Sequence, residues 1–106
     1  VLLLGMAYKK NISDVRESPA FEVWEGLVKR GANVAFHDPF VPRVRLDGKV
    51  VSSKPLTPRT LAAHDCTVIL ADHSNVDYRF VVKHARLVVD TRNACKGIRS
   101  AKIVRL

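Results

Sequence analysis

Two stretches decide the fold: VLLLG at residues 1–5 and SPAFEVWEGLVKRGANVAFHDP at residues 18–39. The unbroken apolar run Val1 to Leu4, closed by Gly5, suits a strand of a parallel sheet buried on both faces, since a half-buried strand would alternate. Ser18 offers a side-chain oxygen to the free N–H groups of a helix start. Pro19 fits the first helical position, where the N–H it lacks would be unpaired anyway. Phe21, Trp24, Leu27 and Val28 then recur at helical spacing until Gly31 stops the helix. Val34 to Phe36 forms the apolar centre of a strand over residues 33–37, and Asp38-Pro39 ends it because Pro cannot donate to a ladder. Strand, helix and strand in this order make a βαβ unit.

The pattern continues to the end of the chain. Residues 39–56 are rich in Pro, Gly, Arg and Ser, with Val50-Val51 as their apolar pair, and read as a loop holding one short or edge strand. Thr57-Pro58 repeats the cap-then-Pro start and leads a short helix to about Asp65, followed by an apolar strand from Cys66 to Ala71. Asp77 caps a helix carrying Phe80, Val81 and His84; Leu87 to Asp90 is another buried strand, and Lys102 to Leu106 adds a last one. The expectation is an α/β fold: a Rossmann-like, doubly wound, mainly parallel sheet with helices on both faces. Such sheets bind ligands at the carboxyl ends of their strands, near the switch in strand order. Here those ends carry Gly5 to Lys10, Asp38, Asp72-His73 and Thr91 to Asn93.

With 106 residues, one domain over residues 1–106 is expected, and the opening on an apolar run without Met reads as a fragment of a longer chain. A hydrophobic share of 47% and a charged share of 26% allow a real core and exclude a disordered or fibrous chain. No apolar run approaches the roughly 18 residues of a membrane span, so a soluble, cytoplasmic protein is expected, without a membrane partner. Cys66 and Cys95 have no partner at metal-ligand spacing, and no metal is expected. The net charge of +8 implies an anionic partner. One reading is a non-enzymatic basic α/β module binding nucleic acid or other polyanions. Against it, the 18 Lys and Arg are scattered, without a basic helix stripe or interleaved aromatics. After Asp90 there is no acid, while Arg92, Lys96, Arg99, Lys102 and Arg105 follow, an end that should attract phosphates.

The segment Gly5 to Pro19 stands where a dinucleotide-binding domain would carry G-x-G-x-x-G, and it lacks that pattern. A glycine-rich turn brings backbone N–H groups to a pyrophosphate, whereas this longer loop offers Lys and Arg side chains. It should grip an anion with them. Tyr8-Lys9 and Asp14-Val15-Arg16-Glu17-Ser18-Pro19 resemble the signature of the C-terminal domain of the UDP-glucose/GDP-mannose dehydrogenase family. The resemblance runs on in order through Arg30-Gly31-Ala32, His37-Asp38-Pro39-Phe40-Val41-Pro42, Asp72-His73 and Val89-Asp90-Thr91-Arg92-Asn93, and so covers nearly the whole chain. Asp72-His73-Ser74 and Asp90-Thr91-Arg92-Asn93 look most like the branch acting on UDP-N-acetylhexosamines.

The resemblance implies the UDP-sugar-binding domain of an NAD-dependent nucleotide-sugar 6-dehydrogenase, an oxidoreductase that turns the sugar C6 alcohol into a uronic acid for polysaccharide biosynthesis. Two hydride transfers, through a Cys-bound thiohemiacetal and thioester, are implied for the full enzyme. NAD would be bound mainly by an N-terminal domain, and the catalytic Cys, Lys and Asp would precede this domain, leaving no catalytic residue here. The resemblance further implies that Lys9 contacts the nucleotide-sugar phosphates and sugar, with Tyr8 in the same substrate-binding stretch. Arg16 would reach toward NAD, and Arg92 would help hold the substrate in a homo-oligomeric enzyme. Asp38 is either an acceptor for ribose hydroxyls or a turn former, and His73 either touches ligand or orders its loop.

Other conspicuous residues have plain readings. Trp24 shares a helix face with Phe21 and Leu27 and belongs to the core. Glu17-Ser18-Pro19 is sufficiently explained as a helix start. His64 and His84 lie near helix ends, where His caps carbonyls. Cys95 near Arg92 invites a thiolate reading, which is rejected because the family's catalytic Cys lies upstream of this domain.

Overall fold

The computed structural model describes residues 1–7, 18–46 and 48–106. In chain order the elements are β1 (Leu2–Leu4), α1 (Pro19–Lys29), β2 (Ala35–His37), β3 (Arg43–Leu46), β4 (Lys49–Ser52), α2 (Pro58–Ala62), β5 (Thr67–Ile69), α3 (Tyr78–His84), β6 (Val88–Asp90) and β7 (Ile103–Arg105). Five strands form a parallel sheet in the order β2-β1-β5-β6-β7, and β3 pairs with β4 in a separate antiparallel hairpin. The expected doubly wound α/β sheet is what the chain forms.

The leucines of β1 explain the central position of the strand. Leu3 faces one core cluster with Trp24 of α1, Phe36 of β2, and Val44 and Leu46 of the hairpin. Leu2 and Leu4 face the other, with Leu61 of α2, Val81 and Val82 of α3, Ile69 and Val88. All three are at most 2% exposed. At about 25 cal/mol per Å² of buried apolar surface, three such side chains supply several kcal/mol, and a polar residue at any of them would lose its share.

Helix α1 starts and stops as its sequence dictates. The Ser18 hydroxyl oxygen accepts from the Ala20 N–H at 3.2 Å, with Pro19 in the first turn. At the other end Gly31 sits at φ +88, its N–H donating to Val28 O and that of Ala32 to Leu27 O, a pairing that closes the helix and needs a residue free of Cβ strain at Gly31. Trp24 meets Phe36 edge to face, centroids 6.4 Å apart, which locks α1 onto β2. The core reading of Trp24 holds.

Two elements differ from the sequence expectation. Residues 43–52 hold both strands of a hairpin rather than one short strand; β3 alternates Arg43 and Arg45 outward with Val44 and Leu46 inward, a half-buried strand whose arginines hide its period. Helix α2 ends at Ala62 instead of near Asp65, with the His64 Nδ1 close to Thr60 O at 2.7 Å where the last carbonyls need a partner.

The sheet places β1 and β5 side by side although α1, β2 and the hairpin separate them in sequence. Gly5, at φ +96, leaves β1 against Ala71: a Cβ on Gly5 would lie 2.6 Å from the Ala71 Cβ and 2.9 Å from its backbone N. Only glycine fits both the conformation and the space. Gly5→Ala should therefore cost at least about 2 kcal/mol of stability, read as a lowered urea midpoint, whereas Gly26→Ala, with open space around it, should not destabilise.

Candidate functional site

The strand order reverses between β1 and β5, so their carboxyl ends flank the crevice where sheets of this kind take ligands. On the β1 side are Gly5, Met6 and Ala7; on the β5 side Ala71, Asp72 and His73. Asp38, just past β2, links them. Its Oδ2 accepts from the N–H groups of Met6 at 2.8 Å and Ala7 at 3.0 Å, and from His73 Nε2 at 3.2 Å. Its Oδ1 accepts from the Phe40 N–H at 2.8 Å. Because a carboxylate only accepts, the Nε2 of His73 carries the proton in this contact.

Asp38 and His73 are 2% and 1% exposed. The Phe40 ring lies against the His73 ring, centroids 5.0 Å apart, and the His73 N–H donates to the Tyr78 hydroxyl, which in turn donates to Ala71 O. Burial, reinforced by the negative charge of Asp72, raises the Tyr78 hydroxyl above the ordinary phenol range and keeps it protonated. A ribose hydroxyl at Asp38 would have to displace donors already in place. Its oxygens serve the turn after β1 and the turn at Phe40.

Arg92 lies at the same edge of the sheet, beyond β6. Asp90 ends that strand and shapes the turn: Oδ1 accepts from the N–H groups of Arg92 and Ala94, both at 3.0 Å, and Oδ2 from that of Cys95 at 2.8 Å. Burial opposes the charged form of Asp90, yet these N–H groups outweigh it and hold the carboxyl below the usual range. Thr91 ties the turn to β5 by donating to Ile69 O, and Asn93 takes a positive φ of 58. The Arg92 side chain is exposed.

Of the sequence-derived candidates, Asp38 and His73 are in direct contact, and Arg92 shares their edge of the sheet. Tyr8, Lys9 and Arg16 lie outside the described residues. The basic end after Asp90 divides. Lys102 Nζ donates to Val82 O and Lys83 O at the end of α3, and Arg105 donates to Cys95 O and Ile98 O, while Arg92, Lys96 and Arg99 stay exposed. Burial and the neighbouring Asp90 push the Cys95 thiol up to about 11, which opposes a thiolate there. Sequence reasoning missed Tyr78 and gave Phe40 and Asp90 no part in this edge, although both stand in the quoted family motifs and Asp90 also reads as an acid ending an apolar strand before a polar turn.

Among the described residues, no group of three or more His, Cys, Asp or Glu is placed to hold a metal ion, and no helix is long and apolar enough to cross a membrane. At the described start of the turn after β1, the space beside Gly5 is taken by Ala71 rather than left open to a phosphate. A cavity of about 420 Å³ lies at the amino ends of the strands, lined by Val1, Asn33, Ala35 and His64 among others, at the opposite edge from Asp38 and Arg92.

The sheet order β2-β1-β5-β6-β7 defines a doubly wound, Rossmann-like α/β domain. Residues 2–97 match the model of the UDP-glucose/GDP-mannose dehydrogenase family, UDP binding domain, and the chain belongs to that family. A UDP-N-acetyl-D-mannosamine dehydrogenase of Salmonella typhi is 31% identical over 98 residues, covering 87% of this chain and 22% of its own length. The solved UDP-glucose dehydrogenase of Pyrobaculum islandicum superposes with a TM-score of 0.71 at 30% identity, over 96% of this chain and 24% of that one. A UDP-D-ManNAc dehydrogenase of Pyrococcus horikoshii shares the fold with a TM-score of 0.74 at 24% identity, over 98% of this chain and 24% of that one. The chain thus spans about a quarter or less of the length of these relatives.

The lowered carboxyl of Asp90 has a pH signature. Its stabilisation is fully present above the ordinary Asp value of about 3.9 and is lost as pH falls through the lower folded-state value. Asp90→Ala, which strands three N–H groups, should cost about 2–3 kcal/mol at neutral pH and flatten the acid limb of stability in urea titrations at pH 2–6; an unaltered acid limb would contradict this.

Proposed function

We propose that the chain is the UDP-sugar-binding domain of an NAD-dependent nucleotide-sugar 6-dehydrogenase, an oxidoreductase that converts the sugar C6 alcohol to a carboxylate. The match of residues 2–97 to the family's UDP binding domain carries this reading. The relatives at four times this length are named as UDP-sugar dehydrogenases, which supports placing the rest of the machinery in a longer chain. In this reading residues 1–106 are one domain, NAD binding and the reacting groups lie in the remaining domains, and the whole enzyme is a cytoplasmic homo-oligomer serving polysaccharide biosynthesis.

The residues present have a defined task. Tyr8 and Lys9 approach the nucleotide sugar from the segment after β1, and Arg92 from the turn after β6; Arg16 reaches toward NAD. Lys suits a phosphate of variable pose and Arg a two-bond contact. Binding energy from the diphosphate, remote from the reacting carbon, aligns that carbon for oxidation. The relatives named as UDP-N-acetyl-D-mannosamine dehydrogenases support an N-acetylhexosamine as the sugar. The polyanion-binding alternative rests on the +8 charge alone, and neither the family nor its relatives favour it.

Calorimetry of the chain with UDP should show binding that Lys9→Ala and Arg92→Ala each weaken about tenfold, the scale of one charge-assisted contact. UDP binding indifferent to both substitutions, or tighter binding of random DNA than of UDP at physiological salt, would overturn the assignment. The chain alone should not oxidise any UDP-sugar with NAD, and measurable NADH production by the pure protein would contradict the placement of the reacting groups.

A further inference from the structure

We propose that Asp38 and His73 act as a pair of positioning residues that hold the turn leaving β1, at Met6 and Ala7, against the β5 wall of the nucleotide crevice. The inference rests on reading the chain as a UDP-binding domain. Asp38 joins four separate pieces of chain. It accepts from Met6 and Ala7 after β1, from Phe40 before the hairpin, and from His73 after β5; its own N–H donates to Ser53 Oγ beyond β4 at 3.0 Å. Met6 and Ala7 immediately precede Tyr8 and Lys9. Two N–H groups held by one oxygen fix the direction in which the backbone leaves the sheet, which apolar packing of the same volume would not do.

His73 is the side-chain donor among the three groups that hold that oxygen. Its ring is held against Phe40, its N–H by Tyr78, and its Nε2 points at Asp38 Oδ2. A buried carboxylate contributes little net stability compared with well-packed apolar groups, and a geometric role is the better reason for placing one here. Its location at the switch between β1 and β5 joins both walls of the ligand crevice through one group. The end of β5 is thereby tied to Met6 and Ala7 through one carboxylate.

The test compares the wild-type chain with His73→Phe, which keeps the ring contact but deletes the donor; His73→Gln, which restores an N–H donor; and Asp38→Asn. UDP affinity is measured by calorimetry, and amide exchange at Met6 and Ala7 by NMR. We expect His73→Phe to weaken UDP about tenfold and to speed exchange at Met6 and Ala7. His73→Gln should recover most of both, and Asp38→Asn should lose both. Unchanged UDP affinity in His73→Phe, with or without faster exchange, would make the pair merely structural and sink the proposal. Equal losses in the Phe and Gln variants would sink it too, since the donor would not be the cause. Failure of the wild type itself to bind UDP would instead overturn the underlying assignment, and this inference with it. Should Asp38→Asn not fold, the two His73 variants decide the matter.

Discussion

Burial of β1 on both faces is the constraint on which everything else in this molecule depends. Leu3 belongs to one core, Leu2 and Leu4 to the other, and the strand pairs in parallel with β2 on one side and β5 on the other. A strand so enclosed cannot leave the sheet on its own terms. Its exit is squeezed between Ala71 and the Asp38 carboxylate, which explains why glycine stands at position 5 and why the next two N–H groups point at an acid.

The same local solution appears twice along the edge where ligands are taken. Asp38 follows β2 and accepts from the N–H two residues on; Asp90 ends β6 and does likewise. In each case the second oxygen reaches further, to the turn after β1 or to Cys95. Short strands of three residues define little of the backbone beyond their ends, and a buried acid at that point extends the order of the sheet into the adjoining turn.

Much of this was legible in the residues. The Ser18-Pro19 and Thr57-Pro58 starts, the Asp77 cap and the glycine stop at Gly31 are local signals that tertiary packing leaves intact. The continuous apolar runs gave the parallel strands for the same reason. The strand at Val44 and Leu46 was obscured because arginines alternate with its two buried residues in a segment dense with turn formers. Within the site, position along the sheet edge was readable for Asp38, His73 and Arg92, but partnership was not. Contact of Asp38 with His73 spans 35 residues and depends on β5 lying next to β1, which periodicity cannot reveal. Tyr78 was invisible for a related cause, as an aromatic at a helix start reads as core until its hydroxyl is seen holding the His73 N–H.

The way Asp90 is satisfied has a consequence for the field around that edge. Its oxygens are taken up by main-chain amides and make no contact with the guanidinium two residues later, so the Arg92 side chain stays exposed to solvent. With Lys96 and Arg99 also exposed nearby in sequence, this stretch carries three solvated cations whose attraction for anions shrinks as ionic strength rises.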